Sequence, residues 1–107
     1  MSQVQKDRAM KKPNNCQSTE DVRSEIDRID NALIQLLGER WSYVDRMWQL
    51  KRAASAEASV PWRNREVIER VRSKAEEADM PPALAESLWR TIIGWGIQHQ
   101  EEKLRDD

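Results

Sequence analysis

The sequence predicts an all-α protein of three helices, the first of them long. Three observations carry that expectation. Apolar residues recur three and four positions apart in successive segments, the spacing that gathers side chains on one face of a helix. The second and third segments open at proline, which suits the first turn of a helix and disrupts its interior. No stretch alternates apolar and polar residues as a half-buried strand does, and there is no internal repeat, Gly-rich phosphate loop or metal-ligand spacing.

Residues 1–17 carry Lys6, Arg8, Lys11, Lys12 and Pro13 with little apolar patterning, so they are expected to be a mobile basic leader, solvated rather than bound to nucleic acid or membrane. Ser18, with Asp21 three residues on, resembles a capping box and opens a helix expected to reach about Ala53. Its apolar stripe holds Ile26, Ile29, Leu33, Leu36, Val44 and Met47 from Val22 onward. At 1.5 Å per residue such a helix is roughly 50 Å long, more than so small a chain can cover by itself.

From Arg52 to Ser59 the residues are mostly Ala and Ser, a flexible connection, and Val60-Pro61 starts a second helix to about Ala78 with Val67, Val71 and Ala75 on its apolar face. Pro81-Pro82 begins a third reaching about Leu104. Leu84, Leu88, Ile92 and Trp95 lie on one side of it and Trp89, Ile93 and Gly96 on another, so it is apolar over more than half its circumference. Residues 18–107 are expected to form a single all-helical domain.

Composition narrows the function classes. The chain has 107 residues, 38% hydrophobic and 35% charged, which allows one domain with a thin core. A formal net charge of -1 gives the whole chain no electrostatic footprint for nucleic acid. No apolar run reaches membrane-span length and no signal-peptide segment follows the start, so a soluble cytoplasmic protein is expected. The lone Cys16 excludes an intrachain disulfide, and with His99 the only histidine to serve as a base, Cys16 is expected to be inert. His99, Trp48 and Trp62 are expected to pack, although Trp62 beside Arg63 could close over a ligand.

Two cations break the apolar register. Setting Ile29 at zero and advancing about 100° per residue, Arg40 falls near roughly 20° and Lys51 near roughly 40°, in the middle of the stripe. An unpaired buried cation costs several kcal/mol, so the chain must supply carboxylates or receive an anion from outside. Arg40 and Lys51 are roughly 16 Å apart along the helix, and their long side chains can lean inward around a small dianion. On the second helix Arg63 and Asn64 extend the line of Val67 and Val71, whereas Arg65 projects elsewhere; on the third, Gln100 lies beneath Trp89, Ile93 and Gly96. Each is placed to face a shared cavity. Arg23 lies roughly 25 Å before Arg40 and about 100° around the helix, so it cannot serve that site in its own chain, but an antiparallel pairing of two long helices would bring it to the partner's.

The pattern Arg23-x2-Ile26-Asp27-x-Ile29-Asp30, then Leu36-Leu37-x2-Arg40-x2-Tyr43-Val44, then Leu50-Lys51, closely resembles the long first helix of the all-α chorismate mutases. The Cys16 start, the run from Ile26 to Asp30 and Tyr43-Val44 resemble its isochorismate-pyruvate lyase branch in particular, and the likeness extends from about Cys16 to Leu104. The resemblance implies an intertwined antiparallel homodimer in which Arg23 enters the partner's site. It also implies that Arg40 and Arg63 hold the substrate carboxylates and that Lys51 and Gln100 bind the ether oxygen of the enolpyruvyl group. The Lys51 to Arg63 spacing suits the mutase pattern and favours Arg63 over Arg65. Asn64 stands where mutases commonly carry a glutamate that holds the ring hydroxyl, and Gly96 where a serine is frequent.

The reaction so implied is pericyclic and requires no nucleophile, general base, metal or cofactor. Chorismate mutase is the expected activity, with isochorismate-pyruvate lyase, giving salicylate and pyruvate, as the alternative; one site can serve both. Two rivals lie outside enzymology. In a helical dimeric interaction module, Asp27, Asp30 and Glu39 of a partner chain would pair with Arg40 and Lys51. A metabolite-binding module without turnover would keep the cations and lack the ether-oxygen donors, but Lys51 and Gln100 are both present.

Overall fold

The computed structural model describes residues 10–106. Of the leader expected over 1–17, residues 1–9, Lys6 and Arg8 among them, lie outside the described residues. A single 3-10 turn at Pro13–Asn15 precedes three helices, α1 (Thr19–Ala54), α2 (Pro61–Glu77) and α3 (Pro82–Arg105). The described residues contain no strand, and the protein is all-α. None of their helices is long and apolar enough to cross a membrane. The chain divides into two units, Met1–Glu39 and Arg40–Asp107.

In the first unit the start of α1 is fixed by side chains. Ser18 Oγ accepts the Asp21 backbone N–H at 3.1 Å, and Asp21 Oδ2 accepts the N–H of Gln17 at 3.0 Å, one residue before the donor a reciprocal capping box would use. Lys11 Nζ lies 3.1 Å from the other oxygen of Asp21. The Gln17 amide and then the Lys11 ammonium hold the Asp21 carboxyl below its ordinary range. Val22, Ile26, Ile29, Leu33 and Leu36 are all exposed along this part of the helix.

In the second unit, α1 and α2 both end in the same doubly bonded cap. Ser55 and Asp79 adopt positive φ, 55° and 57°. Ala56 N–H then reaches back to Lys51 O at 2.8 Å, and Met80 N–H to Ala75 O at 2.9 Å, the long bond of a Schellman motif with a polar residue in place of glycine. Pro61 and Pro82 occupy the first turns of α2 and α3, as their missing N–H and fixed φ favour.

The buried apolar side chains of α2 are Val67, Ile68 and Ala75, and α3 buries Ala85, Gly96 and Gln100. Of the two apolar sides expected on α3, the one carrying Gly96 is covered, whereas Leu84, Leu88 and Trp95 are exposed. Arg72 ties α2 to α3 through Glu86 at 2.7 Å, and Arg90 bonds the same carboxylate from its own helix. Gly96 lets α3 approach α1 closely, since a Cβ there would stand 3.4 Å from Val44 Cγ1. On its other edge α1 meets α3 through polar and aromatic groups: the Trp41 and His99 rings lie 4.8 Å apart, Asp45 bonds His99, and Arg52 donates to the Lys103 carbonyl.

Candidate functional site

Within the second unit the three helices border an open cavity of about 420 Å³, within the range of small-molecule sites. Arg40, Lys51, Arg63, Asn64 and Gln100 supply its polar lining. Val44, Met47, Val67, Ile92, Ile93 and Gly96 are among the residues that supply its apolar walls, and no Asp or Glu lines it. A space bordered by three cations and no acid favours an anionic occupant.

Lys51 projects from the last turn of α1. Its ammonium donates to the Ala58 carbonyl at 2.6 Å and to Gln100 Oε1 at 2.8 Å. Burial pushes its pKa below the ordinary lysine value, since both partners are neutral dipoles and burial penalises the charge. The first of these bonds revises the expectation of a flexible connection after Arg52. Arg52, Ala53 and Ala54 complete α1, and Ala58 is buried with its carbonyl fastened to Lys51.

Gln100 is 7% exposed, and its partner determines its orientation. An ammonium only donates, so the Gln100 oxygen must face Lys51 and its NH2 group becomes the free end of the amide. That group makes no hydrogen bond among the described residues. The ammonium likewise has a third proton beyond the two that Ala58 and Gln100 accept. Two donors therefore remain beside one cavity wall.

Arg40 is half-buried and makes no ion pair among the described residues. Its pKa is lowered first by loss of water and then by repulsion from Arg63. Arg63, on the first turn of α2, is exposed and lies 2.5 Å from Glu66 Oε1, with Arg70 3.8 Å from the same oxygen. Asn64 Nδ2 donates to Ser59 Oγ at 3.3 Å. Arg65 lines a different concavity of about 460 Å³, bordered by Glu69, Glu86 and Arg90. Arg23 belongs to the first unit, where its guanidinium meets Glu20 at 3.2 Å in the open. Exposed Trp62 borders the cavity beside Arg63.

The structure adds two groups that the sequence reading left out. The Ala58 carbonyl carries no side-chain signal and was invisible in the pattern. Asp45 accepts the Trp48 indole N–H at 3.0 Å and lies 2.8 Å from His99 Nε2. Trp41, Asp45 and Trp48 recur at helical spacing on one face of α1, a signal that could have linked them to the only histidine.

Residues 22–101 match the family model described as chorismate mutase type II. The chain belongs to the chorismate mutase type II family. It is 35% identical over 91 residues to the isochorismate pyruvate lyase of Pseudomonas aeruginosa, a likeness covering 85% of this chain and 89% of that protein. It is 39% identical over 51 residues to a bifunctional chorismate mutase/prephenate dehydratase of Aquifex aeolicus, covering 48% of this chain and 14% of that protein. To the T-protein of Enterobacter agglomerans it is 28% identical over 82 residues, covering 77% of this chain and 22% of that protein. The matched span of this chorismate mutase family enzyme takes in Lys51, Arg40, Arg63, Asn64 and Gln100.

Proposed function

We propose that the cavity binds chorismate and rearranges it to prephenate. One observation carries this reading: a half-buried ammonium and a buried amide, Lys51 and Gln100, share a hydrogen bond at the edge of an acid-free cavity that Arg40 and Arg63 also line. Arg40 and Arg63 hold the two carboxylates, which keeps the enolpyruvyl arm folded over the ring in a reactive conformation. As the ether C–O bond stretches and the new C–C bond forms, negative charge grows on the ether oxygen. Lys51 and the Gln100 NH2 donate to that oxygen, already oriented before the reaction begins. Asn64 offers the ring hydroxyl an amide, a weaker partner than a carboxylate.

The site is completed by a second chain. The exposed stripe of Ile26, Ile29, Leu33 and Leu36 offers a continuous apolar face to the equivalent helix of an antiparallel partner. In that homodimer Arg23 exchanges Glu20 for a carboxylate in the partner's cavity.

A second reading is favoured by the near full-length likeness to an isochorismate pyruvate lyase. The same cationic frame suits isochorismate, whose ether C–O bond breaks as a ring hydrogen moves to the enolpyruvyl methylene, leaving salicylate and pyruvate. Incubating the purified protein with each substrate separates the two: prephenate forms in one case, salicylate plus pyruvate in the other. Conversion of neither substrate, or rates unchanged in Lys51→Ala, would sink both readings.

A further inference from the structure

We propose that Asp45 and His99 are positioning residues that set where Gln100 presents its amide, an inference that rests on reading Gln100 as the donor to the ether oxygen. Neither residue lines the cavity, so both act through their neighbour rather than on a ligand. The Asp45 carboxylate is held ionised, below its ordinary range, first by the His99 bond and then by the Trp48 indole N–H. It can therefore only accept, and the 2.8 Å contact is donated by His99 Nε2–H. Trp41 braces the imidazole from a second direction, its ring tilted by 45° at 4.8 Å.

The next residue on α3 is Gln100, about 100° around the helix, and it engages Lys51. Two of the bonds that join α3 to α1 are thus at Asp45 and at Lys51, roughly 9 Å apart along the α1 axis, with the Arg52 bond to the Lys103 carbonyl beyond them. Separated attachments fix rotation and advance together, and the one at His99 directly adjoins Gln100 on α3. Lys103 and Arg52 bear on the first attachment through Asp45 and Trp48. Lys103 adds a favourable field at Asp45, and the Arg52 guanidinium lies 4.7 Å from the Trp48 ring centroid. The Gln100 amide is the last link in this chain of contacts, and displacement of a reacting group by about 1 Å costs on the order of a hundredfold in rate.

The test uses Asp45→Ala and, in case that variant does not fold, His99→Phe, which keeps a ring against Trp41 and removes the donor. Each should lower kcat about tenfold to a hundredfold with little change in KM, and Asp45→Asn, whose amide oxygen can still accept, should recover most of it. In a Gln100→Ala background the same substitutions should cost nothing further. The side-chain amide resonances of Gln100, followed by NMR in the full-length protein without substrate, should move in Asp45→Ala or His99→Phe and return in Asp45→Asn. Unmoved resonances overturn the proposal whether or not the protein turns over either substrate, and so do kcat losses that multiply undiminished in the Gln100→Ala background. Failure of the wild-type protein to convert chorismate or isochorismate would instead remove the functional reading, while the resonances still decide the positioning role.

Discussion

Lys51 and Gln100 satisfy one another across the junction of α1 and α3, Nζ to Oε1 at 2.8 Å, and this leaves each with a donor to spare. The arrangement is assembled before any ligand arrives, so little reorganisation is needed at the moment of reaction. Lys51→Ala should therefore lower kcat/KM by on the order of 3 kcal/mol or more, the scale for a preorganised charged donor. Steady-state kinetics on chorismate and isochorismate measure it, and a loss smaller than about tenfold contradicts the assignment.

The pH profile should be flat through neutrality and fall on the alkaline side. Gln100 does not ionise, and in the proposed mechanism Lys51 acts in its charged form, whose pKa burial lowers. Activity in kcat/KM, which reports the free enzyme, is then lost as pH rises through the folded-state value of Lys51, which lies below the ordinary lysine value of 10.5. Stability responds in the opposite sense. Between the lowered value and 10.5 the unfolded chain binds the extra proton, so the contribution of Lys51 to stability rises with pH in that window. A steep loss of activity between about pH 6 and 8 would instead point to a histidine-like ionising group.

Arg63 and Arg65 should separate cleanly. Arg63 lines the cavity with Arg40 and Lys51, and Arg65 lines the other concavity. Arg63→Ala should raise KM about tenfold or more, the cost of one charged hydrogen bond to a carboxylate, while Arg65→Ala stays within about twofold. The reverse order would move the carboxylate contact to Arg65.

In the proposed site Arg40 trades stability for binding. It is half-buried without an ion pair among the described residues and is repelled by Arg63. Arg40→Met keeps much of its volume and removes the charge, so the unliganded protein should gain about 1 kcal/mol, read as a higher Tm. The same variant should lose affinity for a dicarboxylate. An unliganded Tm below wild type would show that the guanidinium is compensated.

The proposed homodimer implies twice the chain mass in solution. A carboxylate at the centre of the exposed stripe should break it, so Leu33→Glu should halve the mass by light scattering and reduce turnover with it. A wild-type monomer with full activity would remove Arg23 from the site.

The helices were legible in the sequence because their signals are local. Pro61 and Pro82 mark first turns, Ser18 caps through its own side chain, and three-to-four spacing fixes which residues share a face. Arg40 and Lys51 stood out because charge interrupts that spacing. Which face is covered is not local. Leu84, Leu88 and Trp95 read as well as Trp89, Ile93 and Gly96 for the core, yet the first group is exposed and Ala85 is buried. The same limit hid the bond between Asp45 and His99, whose partners lie 54 positions apart, and the Ala58 contact, where the acceptor belongs to the backbone. Chemistry carried by the main chain leaves no residue type to notice.

The Ala58 carbonyl has an evolutionary corollary. Because a peptide oxygen anchors the ammonium, the side chain at that buried position need only be small, but the number of residues between Ser55 and Val60 cannot drift. Insertions or deletions there, ordinarily the best tolerated changes between two helices, should silence the protein while leaving its helices intact.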